Sequence, residues 1–393
     1  MDLFKKCETY TLPDEYIKKD IYPYFHTLQT KQNTEVKMEG LHEIMIGSNN
    51  YLGLTSDKRT IRAAVKSIKK YGTGCSGSRF LNGTLDTHVL LEKELAEFLQ
   101  KEDCVTFSTG FQSNLGIISC IAGRNDVVLC DKENHASIYD GIKLSYATMI
   151  RYEHNNMEDL ENKLKEVPEN KGILIVTDGV FSMSGEICNL PKIVELKEKY
   201  GARILVDDAH GLGVIGANGR GTAEYFGLTD KVDMIMGTFS KSLASIGGYC
   251  ATSKQVAKFI RHNSRPFIFS ASITPASVAT AREALRILKT EPQRVRALQN
   301  VGDFMRSELE RLNITYKKGS TPIIPIYTYD AETTLMVCKR LFEEGVYANP
   351  VLPPATPQGE CLIRTSYTAT HTKPQLTKAA ETIKKVLTEF NIK

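Results

Sequence analysis

The sequence lacks the features that mark membrane, secreted and nucleic-acid-binding chains. It has no apolar run near the roughly 18 residues that span a bilayer. Its first residues, Met1-Asp2-Leu3-Phe4-Lys5-Lys6, contain no apolar signal core. The nine cysteines, at 7, 75, 104, 120, 130, 188, 250, 338 and 361, form no C-x-x-C pair and no regular framework. Their spacing therefore supports neither a disulfide scaffold nor a zinc site. Several lie in apolar runs such as Ile117–Ile121, where cysteine packs as a small hydrophobe. The expectation is a protein of the reducing cytoplasm. No block of one charge occurs, and 50 Lys+Arg against 46 Asp+Glu leave only +4. That balance carries no nucleic-acid footprint and allows no more than a weak peripheral contact with an anionic membrane. Internal repeats and low-complexity tracts are missing as well.

What is present is an ordinary globular composition, 41% hydrophobic and 24% charged over 393 residues, enough for a large domain and a smaller one. Residues 1–45 are polar and irregular, an arm that packs on something else. Helical periodicity marks Lys58–Lys70 and Asp86–Gln100, the latter with an apolar stripe of Leu91, Leu95, Phe98 and Leu99 behind an Asp86 cap. Short apolar runs then alternate with amphipathic stretches: Cys104–Phe107, Val127–Cys130, Ile173–Val176, Ile204–Val206, Met234–Met236 and Gly248–Ala251. Buried strands separated by helices predict a parallel sheet covered on both faces. Ser253–His262 reads as a helix, Pro275–Leu312 as a long helical region, and Lys373–Phe390 as a final helix. Short strands are expected near Ile323–Ile326 and Cys361–Arg364. The predicted organisation is an arm (1–45), a large α/β domain (46–290) and a small α+β domain (291–393).

In open parallel sheets, ligands bind beyond the carboxyl ends of strands, so the residues there are the ones to read. Two G-x-G-x-x-G patterns, Gly72/Gly74/Gly77 and Gly211/Gly213/Gly216, lack the context of a dinucleotide site. The first follows a helix, and the second leads into Ala217-Asn218-Gly219-Arg220-Gly221, a poor helix start. A stronger group is Asp207-Asp208-Ala209-His210 after one strand and Thr238-Phe239-Ser240-Lys241 after another. Pyridoxal 5'-phosphate (PLP) chemistry needs such a set. An amine carries the cofactor, a carboxylate keeps its pyridine nitrogen protonated, and hydroxyls with backbone N–H groups hold its phosphate. Three other strand ends add to it: Ser108-Thr109-Gly110-Phe111, a phosphate cradle at a helix start; His135, able to stack on a ring; and Ser182, able to meet the ring edge.

Asn49-Asn50-Tyr51-Leu52-Gly53-Leu54, the segment Gly72–Gly83, Asn134-His135-Ala136-Ser137, Val206–Gly211 and the Lys241 segment together resemble the α-oxoamine synthase family, a fold-type I branch of PLP enzymes. The resemblance runs from about residue 45 to the C-terminus. It implies a large domain built on a mainly parallel seven-stranded sheet, a small α+β domain and a homodimer. The implied activity is condensation of an amino acid with an acyl-CoA, releasing CO2 and CoA. Carried over, Lys241 is the amine that binds PLP, Asp207 the partner of the pyridine nitrogen and His210 the partner of the ring hydroxyl. His135 stacks on the ring and contacts the substrate carboxylate. Ser108, Gly110, Phe111, Ser182, Thr238 and Ser240 complete the cofactor contacts, and Ser270 and Ala271 reach the neighbouring subunit's phosphate. Asn50, Ser78 and Arg364 are expected at the substrate, Arg364 on its carboxylate. Thr238-Phe239-Ser240-Lys241 before Gly247-Gly248, with Tyr22–Phe25 and Glu35–Gly40, resembles the branch that joins L-serine to a long-chain acyl-CoA. Siblings that use glycine or alanine are the alternative. One departure stands out: Ser184 occupies a position where many relatives have Asp.

Overall fold

A computed structural model describes residues 2–392, and their contacts divide the chain into two compact units, Asn49–Gln299 and Met1–Ser48 with Asn300–Lys393. Two short helices, Lys5–Glu8 and Leu12–Lys18, precede an antiparallel hairpin, β1 (Glu35–Met38) and β2 (Leu41–Met45), turned through Glu39 and Gly40, both at positive φ.

The unit Asn49–Gln299 is built on a sheet of β3 (Asp103–Phe107), β4 (Asp126–Asp131), β5 (Thr148–Tyr152), β6 (Gly172–Asp178), β7 (Arg203–Asp207), β8 (Met234–Thr238) and β9 (Gly248–Thr252). Their spatial order is β3-β9-β8-β7-β6-β4-β5. Every neighbouring pair from β8 to β5 is parallel, and β9 runs against both of its neighbours. The sheet is thus seven-stranded and mainly parallel, as the family resemblance implies. The apolar runs mark six of these strands; the seventh, β5, is an edge strand whose Thr148, Met149 and Arg151 are exposed, with only Tyr152 buried. A strand half in water carries no continuous apolar run to read.

Both faces of the sheet are covered. Val127, Leu129, Ile175, Ile204, Val206 and Ile235 face one core cluster, while Val128, Cys130, Leu174, Val176, Leu205 and Met236 face the other. The period-two alternation is there, but both phases are apolar, which is why these strands read as unbroken runs. Helices expected at Lys58–Lys70 and Ser253–His262 occupy Lys58–Tyr71 and Lys254–Asn263. The helix Asp86–Phe98 begins at Asp86 itself, and Leu85 takes the cap position, its N–H bonded to His88 Nδ1 at 3.0 Å. Pro275–Leu312 divides into two helices, Pro275–Thr290 and Gln293–Arg311, because Pro292 offers no N–H to continue the first.

In the other unit, β10 (Ile323–Tyr329), β12 (Asn349–Val351) and β13 (Cys361–Ser366) form an antiparallel sheet ordered β10-β13-β12. Packed with it are the helices Ala331–Glu343 and Lys373–Glu389, through Ile326, Leu341, Ile363, Ile383 and Leu387. The short β11 (Val346–Tyr347) pairs in parallel with β2. That pairing makes residues 35–45 part of this unit's sheet structure, and the contacts place the division at Ser48/Asn49 and Gln299/Asn300.

All nine cysteines are free thiols; six are buried, Cys75 and Cys120 are half-buried, and Cys7 is exposed. No helix among the described residues is long and apolar enough to cross a membrane.

The layering separates core from edge. Leu205, fully buried on the central strand β7, should cost about 2–5 kcal/mol when changed to Ala. Met149→Ala on the exposed edge strand β5 should cost under about 1 kcal/mol. Denaturant unfolding of the two variants checks the difference.

Candidate active site

Strand register decides which residues meet. Asp178 on β6 lies opposite Asp207 on β7, and Asp207 opposite Met236 on β8. Because β9 is reversed, its first residue, Gly248, stands against Thr238 at the end of β8 and Phe107 at the end of β3. One sheet edge therefore presents the segments after β3, β4, β6, β7 and β8. They enclose a cavity of about 310 Å3 lined by Gly110, Phe111, His135, Ser182, Asp207, His210, Thr238, Ser240 and Lys241. Sequence reasoning had placed all nine in a cofactor site.

At the floor, Asp207 accepts hydrogen bonds on both oxygens, from Asn114 Nδ2 at 2.7 Å and from the Ala209 N–H at 3.0 Å. Its neighbour Asp178 also lines the cavity, and burial together with the Asp207 charge raises Asp178 well above the usual carboxylate range. Tyr51 Oη and His210 Nδ1 share a hydrogen bond of 2.7 Å, which fixes the plane of that imidazole. His135 caps the helix Ala136–Ser145: its Nδ1 accepts the Ser137 N–H at 3.3 Å and lies 2.7 Å from Ser137 Oγ. The neutral ring then carries its proton on Nε2. Desolvation holds His135 below the usual histidine range, against the pull of Asp207. Its ring meets Phe111 edge-on at 6.2 Å.

At the other end, Thr109 caps the helix Gly110–Ile121, accepting the Gln112 N–H at 3.1 Å. A Cβ on Gly110 would stand 2.8 Å from Thr238 Cβ and Oγ1, so glycine is what lets the helix start close on β8. Thr238 donates to the Gly247 carbonyl at 2.9 Å and accepts the Ser240 N–H, with Ser240 Oγ 2.9 Å away. A helix start and two hydroxyls form an anion cradle. A buried carboxylate and a lysine border the same cavity, whose volume admits one small aromatic ring. These residues fit PLP.

The remaining expected residues fall outside the cavity lining. Ser108 gives its hydroxyl to the Ala271 carbonyl, and Gln112 Nε2 donates to Ser270 Oγ at 2.9 Å. Ser78 pairs with Ala271 in an isolated bridge, and its buried Oγ has no partner. Asn50 Oδ1 accepts the Thr55 N–H at 3.3 Å. Arg364 belongs to the other unit, on the central strand β13 opposite Pro325 and Asn349, with Nη1 3.2 Å from Ser366 Oγ. It is buried there and is not a solvated loop charge.

A family model, aminotransferase class I and II, matches residues 42–383. The chain belongs to the aminotransferase class I and II family. Within that family it is 50% identical over 390 residues to the serine palmitoyltransferase of Bacteroides thetaiotaomicron, covering 99% of both chains. It is 42% identical to the 8-amino-7-oxononanoate synthase of Lysinibacillus sphaericus, covering 92% of this chain and 93% of that one. The structure of a lysine-to-alanine variant of serine palmitoyltransferase from S. paucimobilis, with a bound PLP–myriocin aldimine, superposes with a TM-score of 0.96 at 33% identity over the full length of both.

Sequence reasoning missed three of the lining residues: Asn114, Ser137 and Asp178. Asn114 lies four residues after Gly110 on the same helix face. The departure at Ser184 also has a local account. Its Oγ accepts the Glu186 N–H at 3.3 Å, the same two-residue turn that an Asp carboxylate makes.

Asp208, fully buried beside Asp207, is pushed up to about 7 by burial, against hydrogen bonds from Thr222 N–H at 2.7 Å and Thr222 Oγ1 at 2.6 Å. Its free-chain value is about 3.9. Between these values it ionises only on unfolding, so stability falls as pH rises; above about 7 the loss is constant. Asp208→Asn should remove this dependence, with a gain over wild type that rises from about 1–2 kcal/mol near pH 5 to about 3–4 kcal/mol above pH ~7. Unfolding titrations at a series of pH values check it.

Proposed function

We propose that this protein uses PLP to condense L-serine with palmitoyl-CoA, giving 3-oxosphinganine, CoA and CO2. The observation that carries the reading is full-length identity of 50% to a serine palmitoyltransferase, joined to a cavity that fits PLP. When bound, PLP supplies a ring that accepts the electrons released from bonds at the amino-acid α-carbon. The other steps are the work of the chain. Lys241 Nζ is the amine that carries the cofactor and then takes the proton from serine Cα. Asp207, held by Asn114 and Ala209, keeps a proton on the pyridine nitrogen. His210 serves the ring hydroxyl. Gly110, Phe111, Thr238 and Ser240 hold the phosphate. His135 would stack on the ring and donate from Nε2 to the serine carboxylate, holding the substrate in one orientation. Arg364 is the second carboxylate partner, a role supported by its sequence motif.

A homodimer supplies Ser270 and Ala271 to the neighbouring phosphate. Supporting it are Leu81 (77% exposed) and Phe269 (78% exposed), large apolar side chains on two segments joined by the Ser78–Ala271 bridge. A weak contact with an anionic membrane suits the helix Lys58–Tyr71, which carries six cations and no acid and exposes Ile61, Val65 and Ile68. Nine free thiols suit a reducing cytoplasm.

Purified protein reconstituted with PLP should show a visible absorption band that Lys241→Ala lacks. Coenzyme A release should be fastest with serine and palmitoyl-CoA; faster release with glycine or alanine would assign the chain to the sibling branch instead. Arg364→Ala should lose roughly 1.5–3 kcal/mol of carboxylate interaction, read as a fall in kcat/KM of more than about tenfold. Light scattering should return twice the 43.9 kDa chain mass.

A further inference from the structure

His154 lies just beyond β5, outside the cavity, and its ring faces three acids. Nδ1 is 2.9 Å from Asp131 Oδ1, and Nε2 is 3.2 Å from Glu186 Oε2 and 3.5 Å from Glu133 Oε2. A carboxylate only accepts hydrogen bonds. With an acceptor at each nitrogen, both must carry protons, and the ring is an imidazolium. Its edge packs on the buried ring of Phe181 at 4.4 Å.

The acids belong to two different segments that line the cavity. Asp131 ends β4 and sets the turn into His135: its Oδ1 also accepts the Glu133 N–H at 2.8 Å, and its Oδ2 accepts the Asn155 N–H at 2.8 Å. Glu186 sits in a small hairpin in which its carbonyl accepts the Phe181 N–H at 2.9 Å and Val180 bridges Ile187. That hairpin carries Val180 and Ser182 into the cavity.

We propose that His154 is a positioning residue: its charged ring locks the turn that presents His135 to the hairpin that presents Ser182, and so sets the two walls that hold the cofactor ring. This rests on the reading of the cavity as a PLP site. Both segments end in loops, and no strand pairing joins His135 to Ser182. Asn134 ties the turn to β6 through Val176 and Asp178; the His154 imidazolium adds a charged tie from that turn to the hairpin itself. Burial opposes its charge, but the hydrogen bonds to Asp131 and Glu186, with the Glu133 charge, outweigh it and carry His154 up to about 10. The clamp therefore stays closed through neutral pH and opens only as pH rises toward that value.

The test is PLP titration of stripped wild type, His154→Gln, Glu186→Gln and the double variant, followed by the induced circular dichroism of the bound cofactor and the melting temperature of each stripped protein. Each single change should weaken PLP binding about tenfold and alter the dichroism, and the double should be no worse than the worse single, since both remove one interaction. Glu186→Gln keeps the side-chain volume and reports even where His154→Gln folds poorly. In wild type, 15N-histidine spectra at pH 8.5 should show both His154 nitrogens protonated. Lowered melting with unchanged PLP affinity and dichroism would overturn the proposal, as would a neutral His154. A wild type that takes up no PLP would instead overturn the reading of the cavity.

Discussion

Four parallel strands ending within about two residues of one another are the constraint on which the site depends. Backbone ladders set β4, β6, β7 and β8 side by side, and their last residues, Asp131, Asp178, Asp207 and Thr238, are placed by hydrogen bonds between main chains. A slip of one residue in any pair would turn the corresponding side chain to the opposite face. Reversing β9 adds the other half of the arrangement, because its start then stands at the ends of β3 and β8. A Cβ on Gly248 would come 2.8 Å from Gly110 Cα. The helix start, the hydroxyl cluster and the reversed strand meet there with no side chain between them.

Burial raises two carboxyls next to Asp207 at this sheet edge. Asp207 receives two donors, an amide and a main-chain N–H. Asp208 has Thr222 on both counts and is still driven up to about 7. Asp178, beside a charged neighbour, is driven well above its ordinary range. At Asp208 and Asp178 desolvation outweighs the donors present.

The sequence made the sheet legible because both faces are buried, which writes each inner strand as an apolar run. It failed at β5, where one edge is wet, and at Pro292, where periodicity on either side concealed a break. The same logic holds at the site. Residues directly after apolar runs, such as Asp207, Thr238 and Lys241, could be read from position, and the family resemblance gave each an expected role. Asn114 and His154 could not, since they act from the middle of a helix and from past an edge strand. Their meaning lies in which acids they face, and only the folded arrangement supplies that. The strands β1 and β2 at residues 35–45 are too short to read; what places them is the pairing of β2 with β11, some 300 residues away.

The thiols described with the fold have a practical chemical consequence. A cysteine reacts as its thiolate, and burial pushes Cys120 and Cys130 up to about 12 and raises Cys104, Cys188, Cys250 and Cys338 as well. Cys75 and Cys361 are raised for the same reason. Cys7, before β1, is the exposed thiol among the nine. In the native fold an alkylating dye therefore meets Cys7 first, distant in sequence from every residue that lines the cavity. The chain carries a built-in attachment point for a fluorophore or a surface tether.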